Sequence, residues 1–144
     1  SRGQISLRDR NPDSSPLIQP NYLSTEDDQA VAIAGLKFTR KIMAAPALAP
    51  FAPYELKPGA HLTSDEELAH AAGDLGTTIF HPVGTCKMGK DSMAVVDEQL
   101  RVRGVNRLRV VDASIMPTIT SGNTNAPTVM IAEKGAEFIR QQNS

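Results

Sequence analysis

Two polar segments that begin about forty residues apart carry the side chains best suited to proton transfer. The first, HPVGTCKMG at positions 81–89, begins with His81, and the second, TSGNTNAPT at positions 120–128, contains Asn125. Both are rich in Gly, Pro and Thr, a composition typical of turns whose backbone N–H groups stay open to a ligand. A histidine can take the proton of an alcohol, and an amide can donate a hydrogen bond to the oxygen left behind. The pair therefore predicts deprotonation of an alcohol, which becomes an oxidation only if another group accepts the hydride.

Each of these two residues also has a structural interpretation. His81 follows the apolar pair Ile79 and Phe80, and a histidine in that setting is more often a hydrogen-bonded structural residue than a base. Asn125 precedes Ala-Pro-Thr, an order typical of a helix N-cap followed by Pro in the first turn. Asn125 has both roles if its backbone caps a helix while its side chain faces a substrate. The neighbouring Asn123 is interpreted as a turn former.

Composition excludes several functional classes. The chain has 144 residues, 40% of them hydrophobic, which suits one domain with its own core. Its formal charge of −1 and the lack of a basic stripe argue against nucleic-acid binding. The only cysteine, Cys86, excludes an internal disulfide and is expected to be packed and inert. Together with three scattered histidines it offers no metal-ligand spacing, so no metal site is predicted.

The ends and the hydropathy of the chain lead to two further expectations. It begins with Ser rather than Met, which is expected of a piece cut from a longer polypeptide. Neither a signal peptide nor an apolar run long enough to span a membrane is present in the sequence. A transmembrane segment is therefore not predicted, and the cytoplasm is the expected location.

Local patterns predict an α+β arrangement in one compact unit. Helices are expected over 25–44, where Ser-Thr-Glu-Asp signals the start and Pro46 the end, over 64–73 behind a capping box, and over 128–141. Strands are expected over 3–7, 77–80, 95–97, 100–103 and 108–111. The Pro-rich stretch 46–58 is expected to be an irregular crossover, and 8–20 is rich in turns.

These segments together resemble the C-terminal region of the glucose–methanol–choline (GMC) family of FAD-dependent oxidoreductases, and most of all its choline and alcohol dehydrogenase branch. The likeness is carried by residues 81–89, by VVD at 95–97, by LRVVDASIMP at 108–117 and by GNTNAPT at 122–128, with SRG at 1–3 and PNYL at 20–23 adding to it. Several ordered motifs at matching separations are more specific than one short pattern.

The resemblance implies both a fold and a domain organisation. The fold is α+β: an antiparallel-sheet substrate domain with packed helices, joined by the C-terminal segment that completes the FAD-binding domain of a larger two-domain enzyme. Residues 1–144 would form the C-terminal domain of such an enzyme. Residues 1–80 would belong mainly to its substrate domain, and residues 81–144 to its catalytic and flavin-contacting part.

The same resemblance implies an activity and its residues. A primary alcohol, choline-like or other, would be oxidised to an aldehyde by hydride transfer to flavin. His81 matches the family's catalytic histidine, and Asn125 matches its second catalytic position. The positions that match flavin-approaching stretches are Asp112, Ala113, Pro127 and Thr128. Asp112 suits a second interpretation equally well, as the cap of the turn that follows it.

The cofactor is expected to be FAD, held mainly by an N-terminal half that this sequence lacks, because the Gly-x-Gly-x-x-Gly fingerprint is absent. The isolated chain is therefore expected to be free of FAD, inactive, and prone to form a homo-oligomer through its uncovered apolar surface. Two other functions remain open. One is a non-redox family member of the hydroxynitrile lyase type, and the other is a stand-alone structural or interaction domain. Peripheral membrane association is expected if a quinone reoxidises the flavin.

Overall fold

Two short strands near the start of the chain pair with each other. In this structure, a computed structural model that describes residues 1–142, β1 spans Gln4–Ser6 and β2 spans Leu17–Gln19. They are antiparallel, with Ile5 opposite Ile18. The sequence predicted β1 but assigned β2 to a turn-rich stretch, because β2 lies between Pro16 and Pro20, residues typical of turns.

Helix α1 spans Glu26–Met43 and confirms the helix predicted over 25–44. It begins where expected because the Thr25 hydroxyl accepts a hydrogen bond from the backbone N–H of Asp28, 3.4 Å away. Acidic residues occupy its first turn and basic residues its last, the order that the helix dipole favours. None of its residues is buried, and the apolar side chains Val31 and Phe38 are 72% and 62% exposed. Its packing face is only half-buried, at Ala32, Ile33 and Leu36, and local signals define where the helix begins.

Helix α2 spans Asp65–Leu75 and packs against α1. The predicted capping box is present: the Ser64 hydroxyl accepts from the N–H of Glu67, and the Glu67 carboxylate accepts from the N–H of Ser64. The helix buries Leu68 and Ala71. Its range agrees with the helix predicted over 64–73.

The crossover between α1 and α2 is held by an arginine. The Arg40 guanidinium donates to both carboxylate oxygens of Glu55, at 2.9 and 2.7 Å, and to the carbonyls of Gly59 and Leu62. This charge-assisted pairing lowers the pKa of Glu55. Residues 46–58 are irregular as predicted, apart from a 3₁₀ helix at Pro46–Phe51.

A second compact unit begins at Thr78, and its core holds Val96, Leu100, Ile115, Met116 and Ile131. The sequence predicted one compact unit, whereas the chain divides into Ser1–Thr77 and Thr78–Ser144. The strand predicted over 77–80 is absent: Ile79 and Phe80 are exposed, and the φ of Phe80 is +65°, outside the extended region.

The strands predicted over 95–97, 100–103 and 108–111 are reduced to single bridges. Val96 pairs with Val102, and Arg101 pairs with Arg109. Leu100 and Arg107 both have positive φ values, so the chain turns before a longer ladder can form. The predicted pairing is therefore partly present, as short contacts around the core rather than as a sheet.

The last helix, α3, spans Asn125–Gln142, begins before the predicted residue 128, and packs against a 3₁₀ helix at Ala113–Ile115. Its tightest contact is at Gly135, where an added Cβ would lie 2.4 Å from Cγ1 of Val111. Only a glycine fits there without movement of Val111.

Replacing Gly135 with Ala is expected to lower the free energy of unfolding by about 1–3 kcal/mol, because overpacking at Val111 outweighs the higher helix propensity of Ala. The matched control is Gly35→Ala in α1, where nothing lies within 4 Å of the added Cβ, and which is expected to be neutral or stabilising. Denaturant unfolding of the two variants measures the difference. Equal stability of both variants would contradict the close contact.

Large apolar side chains are exposed in both units, among them Leu7, Phe51, Tyr54, Phe80 and Met93. Because so much apolar surface favours association, we expect the isolated chain to form oligomers whose size grows with concentration. Light scattering over a concentration series measures this. A monomer at every concentration would contradict the prediction.

Candidate active site

The segment 81–89 lies against the 3₁₀ helix at Ala113–Ile115 through backbone hydrogen bonds. The N–H of Cys86 donates to the carbonyl of Ser114 at 3.0 Å, and the N–H of Met88 donates to that of Ile115 at 2.8 Å. Gly84 has a φ of +90°, and a Cβ there would lie 3.3 Å from the carbonyl oxygen of Met116. Glycine is therefore favoured here, because other residues rarely adopt this φ and a Cβ would press against that carbonyl.

The start of α3 differs from the prediction by one residue. The carbonyl of Thr124 accepts the first helical bond, from the N–H of Thr128 at 3.0 Å, so Thr124 occupies the N-cap position. Asn125, interpreted from the sequence as the N-cap, is instead the first helical residue. The interpretation was wrong because Thr and Asn are both good N-caps and here stand side by side.

One side-chain hydrogen bond joins the two polar segments. Nδ1 of the half-buried His81 lies 2.8 Å from Oγ1 of Thr124, a residue only 7% exposed. Since Asn125 follows Thr124 directly, this bond brings His81 to the N-terminus of α3. Thr124 was missed by the sequence reasoning, and the signal that could have found it is its place immediately before a helix.

Each of the two predicted catalytic residues keeps a polar group without a partner in the part of the chain that is described. Within residues 1–142, neither Nε2 of His81 nor the side-chain amide of Asn125 makes a hydrogen bond. Asn125 is exposed at the first position of α3. Both groups are therefore open to a ligand: a ring nitrogen that accepts or donates a hydrogen bond according to the tautomer, and an amide that can donate one.

The four residues predicted to contact flavin lie at two places. Asp112 caps the 3₁₀ helix that begins at Ala113, because its carboxylate accepts from the N–H of Ser114 at 2.8 Å. The capping interpretation of Asp112 is therefore confirmed, and a contact with flavin stays a prediction. Pro127 and Thr128 lie in the first turn of α3, where the Thr128 hydroxyl donates to the carbonyl of Thr124.

Among the other polar residues of the first segment, Lys87 has a side-chain partner. Lys87 forms an ion pair with Asp91 at 3.0 Å and lowers the pKa of that carboxyl. Cys86 is half-buried.

Residues 1–142 contain no group of three or more His, Cys, Asp or Glu side chains that could hold a metal ion. None of the helices in that range combines the length and the hydropathy needed to cross a membrane.

A sequence profile of the C-terminal domain described as GMC oxidoreductase matches residues 1–132. The chain belongs to the GMC oxidoreductase family. Its relatives include the alcohol dehydrogenase [acceptor] of Pseudomonas putida, 53% identical over 139 residues, and the mitochondrial choline dehydrogenase of Homo sapiens, 54% identical over 144 residues. The alignments cover 96% and 99% of this chain but 25% and 24% of those proteins. The chain thus spans about a quarter of the length of the curated relatives it matches.

Solved structures agree with this assignment. The pyridoxine 4-oxidase from Mesorbium loti is 36% identical with a TM-score of 0.81, over 94% of this chain and 26% of that one. An FAD-dependent oxidoreductase from Chaetomium thermophilum is 31% identical with a TM-score of 0.86, over 98% and 25% of the two chains. The predicted α+β class and the predicted likeness to the choline and alcohol dehydrogenase branch are confirmed. The division of roles between residues 1–80 and 81–144 stays a prediction.

Proposed function

We propose that this chain is the C-terminal catalytic portion of an FAD-dependent enzyme that oxidises a primary alcohol to an aldehyde. The observation that carries the proposal is the His81–Thr124 hydrogen bond, which brings a histidine with an unengaged Nε2 to the residue before Asn125. The relatives named alcohol dehydrogenase and choline dehydrogenase support the same chemistry. Residues 1–80 would serve mainly the substrate domain, and an N-terminal half would hold most of the FAD.

The residues at the start of α3 fit one side of a flavin site. The backbone N–H groups of Asn125 and Ala126 have no carbonyl to bond within the helix, so they can face an electron-rich group. Val129 and Met130 add exposed apolar surface in the next turn. Asp112, Ala113, Pro127 and Thr128 would hold the ring largely through backbone groups. When bound, FAD supplies the redox chemistry by accepting a hydride from the alcohol carbon.

The protein's own part in the reaction is to move a proton and to stabilise charge. His81 accepts the hydroxyl proton at Nε2, and the electron pair of the broken O–H bond stays on oxygen. That negative charge favours loss of hydride from the adjoining carbon. Asn125 donates an amide N–H to the same oxygen and cannot itself titrate, so it orients the substrate and stabilises the charge.

The direct test uses the FAD-loaded holoenzyme, which comprises these residues together with the region that their relatives possess besides them. Adding choline, an aliphatic alcohol or an aromatic alcohol without oxygen is expected to bleach the visible flavin absorbance and to yield one aldehyde per flavin. The three alcohols distinguish the choline-like substrate class from the others.

Two outcomes would favour the alternatives. A yellow protein that no alcohol bleaches, but that cleaves a cyanohydrin, would support the lyase-like function. A protein that stays colourless with added FAD would support a structural or interaction domain.

Cell fractionation of the holoenzyme tests the proposed cytoplasmic location. Recovery in the membrane fraction would point to a quinone acceptor.

A further inference from the structure

Thr124 is a buried polar residue that caps α3 with its backbone and contacts His81 with its side chain. Its side chain is almost completely removed from solvent, at 7% exposure, and its hydroxyl faces Nδ1 of His81 at 2.8 Å. A buried hydroxyl is costly unless it is hydrogen-bonded, so this contact is a strong constraint on both side chains. The histidine ring is thereby held at one of its two nitrogens.

The sequence of the first turn leaves this hydroxyl with one backbone capping donor fewer than usual. A Thr at an N-cap normally accepts a hydrogen bond from the backbone N–H of the second or third helical residue. In α3 the third residue is Pro127, which has no N–H, so only the N–H of Ala126 is left as a capping donor, and the hydroxyl bonds His81 instead. The carbonyl of Thr124 still accepts the first helical bond from Thr128. The cap residue thus keeps its backbone role while its side chain reaches the other polar segment.

The bond also bears on which nitrogen of His81 meets the substrate. Nδ1 is engaged with Thr124, so Nε2 is the nitrogen left for a ligand. For Nε2 to accept a proton, the neutral ring must carry its hydrogen on Nδ1, and a hydroxyl oxygen is a suitable acceptor for that N–H. After proton uptake Nδ1 still carries hydrogen, so the same bond persists through the step.

We propose that Thr124 is a positioning residue for His81: its hydroxyl accepts from Nδ1–H, fixes the ring, and keeps Nε2 unprotonated and open to the substrate hydroxyl. This inference rests on the proposed function, in which His81 is the base. In the step itself, the substrate O–H bond breaks and the Nε2–H bond forms. The positive charge of the imidazolium is then stabilised by the Thr124 oxygen.

The kinetic test is Thr124→Val in the FAD-loaded holoenzyme, which removes the hydroxyl and nearly preserves the shape. We expect kcat for alcohol oxidation to fall about 10- to 100-fold, because a misplaced catalytic group costs rate, while KM changes little. Thr124→Ser, which restores the hydroxyl, is the matched control and should recover most of kcat. In a His81→Gln background, Thr124→Val should have no further effect on kcat, since the two side chains act as a unit.

A second measurement needs no variant at position 124. In holoenzyme labelled with ¹⁵N-histidine at alkaline pH, the signals of His81, assigned by their loss in His81→Gln, should show hydrogen on Nδ1 and none on Nε2. Hydrogen on Nε2 would overturn the inference, as would a Thr124→Val enzyme with wild-type kcat. If the wild-type enzyme oxidises no primary alcohol, the proposed function fails, and the nitrogen signals still decide the Thr124 bond separately.

Discussion

The FAD-loaded holoenzyme with His81→Gln is expected to oxidise alcohols about 100- to 10,000-fold more slowly than the wild-type enzyme, the range that general-base catalysis contributes. The physical reason is the loss of Nε2, which has no other partner within residues 1–142 and is the proposed acceptor of the hydroxyl proton. Steady-state kcat, measured at matched flavin content, gives the result. The residual rate should rise with pH, because hydroxide in solution replaces the missing base.

The control for this experiment is another histidine of the same chain. His70 is 79% exposed, pairs with Asp74 at 3.0 Å, and lies in α2, away from the two polar segments in sequence. His70→Gln is therefore expected to leave kcat unchanged. Full activity in His81→Gln would contradict the prediction and indicate that His81 is a structural residue, the hydrogen-bonded partner of Thr124.

Asn125→Ala is the second variant with a large expected effect. Removing one hydrogen-bond donor from a site of developing negative charge typically raises the barrier by about 2.7–4 kcal/mol, so kcat should fall about 100- to 1,000-fold. Helix α3 should persist, because Thr124 rather than Asn125 occupies its cap position. Stopped-flow rates of flavin reduction by the alcohol measure the chemical step directly.

Asn123→Ala is the matched control for Asn125→Ala. Asn123 lies two positions earlier in the same polar segment, outside the helix, and is exposed. Its variant is expected to keep the wild-type rate of flavin reduction. Equal rates of flavin reduction for Asn125→Ala and the wild-type enzyme would show that Asn125 has no part in the chemical step.

The helices were predictable because their signals are local. The cap at Thr25 and the capping box at Ser64 each lie within a few residues of the helix they begin, and both helices form where expected. The strands were less predictable because a strand needs a partner distant in sequence. Residues 77–80 have strand composition but find no partner within residues 1–142, while the short β2 was missed.

The candidate site was likewise predictable from the sequence only in part. The residues of the two polar segments could be named from the sequence, because a histidine base and an oxygen-binding amide have recognisable chemistry and stand within specific motifs. The role of Thr124 could not be predicted from the sequence. Nothing in its own segment distinguishes a hydroxyl that caps a helix from one that binds a histidine ring. That choice depends on contacts between segments distant in sequence.

The sequence by itself was therefore enough to identify the family, the helices and the candidate residues His81 and Asn125. All of these depend on residue type and local spacing. Tertiary structure decided which of their atoms are free. The core around Ile115 and Ile131 packs the 3₁₀ helix against α3, and the backbone bonds of residues 86 and 88 attach the first polar segment to it. Only this packing brings His81 within 2.8 Å of a residue 43 positions away, and so leaves Nε2 as the ring nitrogen open to a ligand.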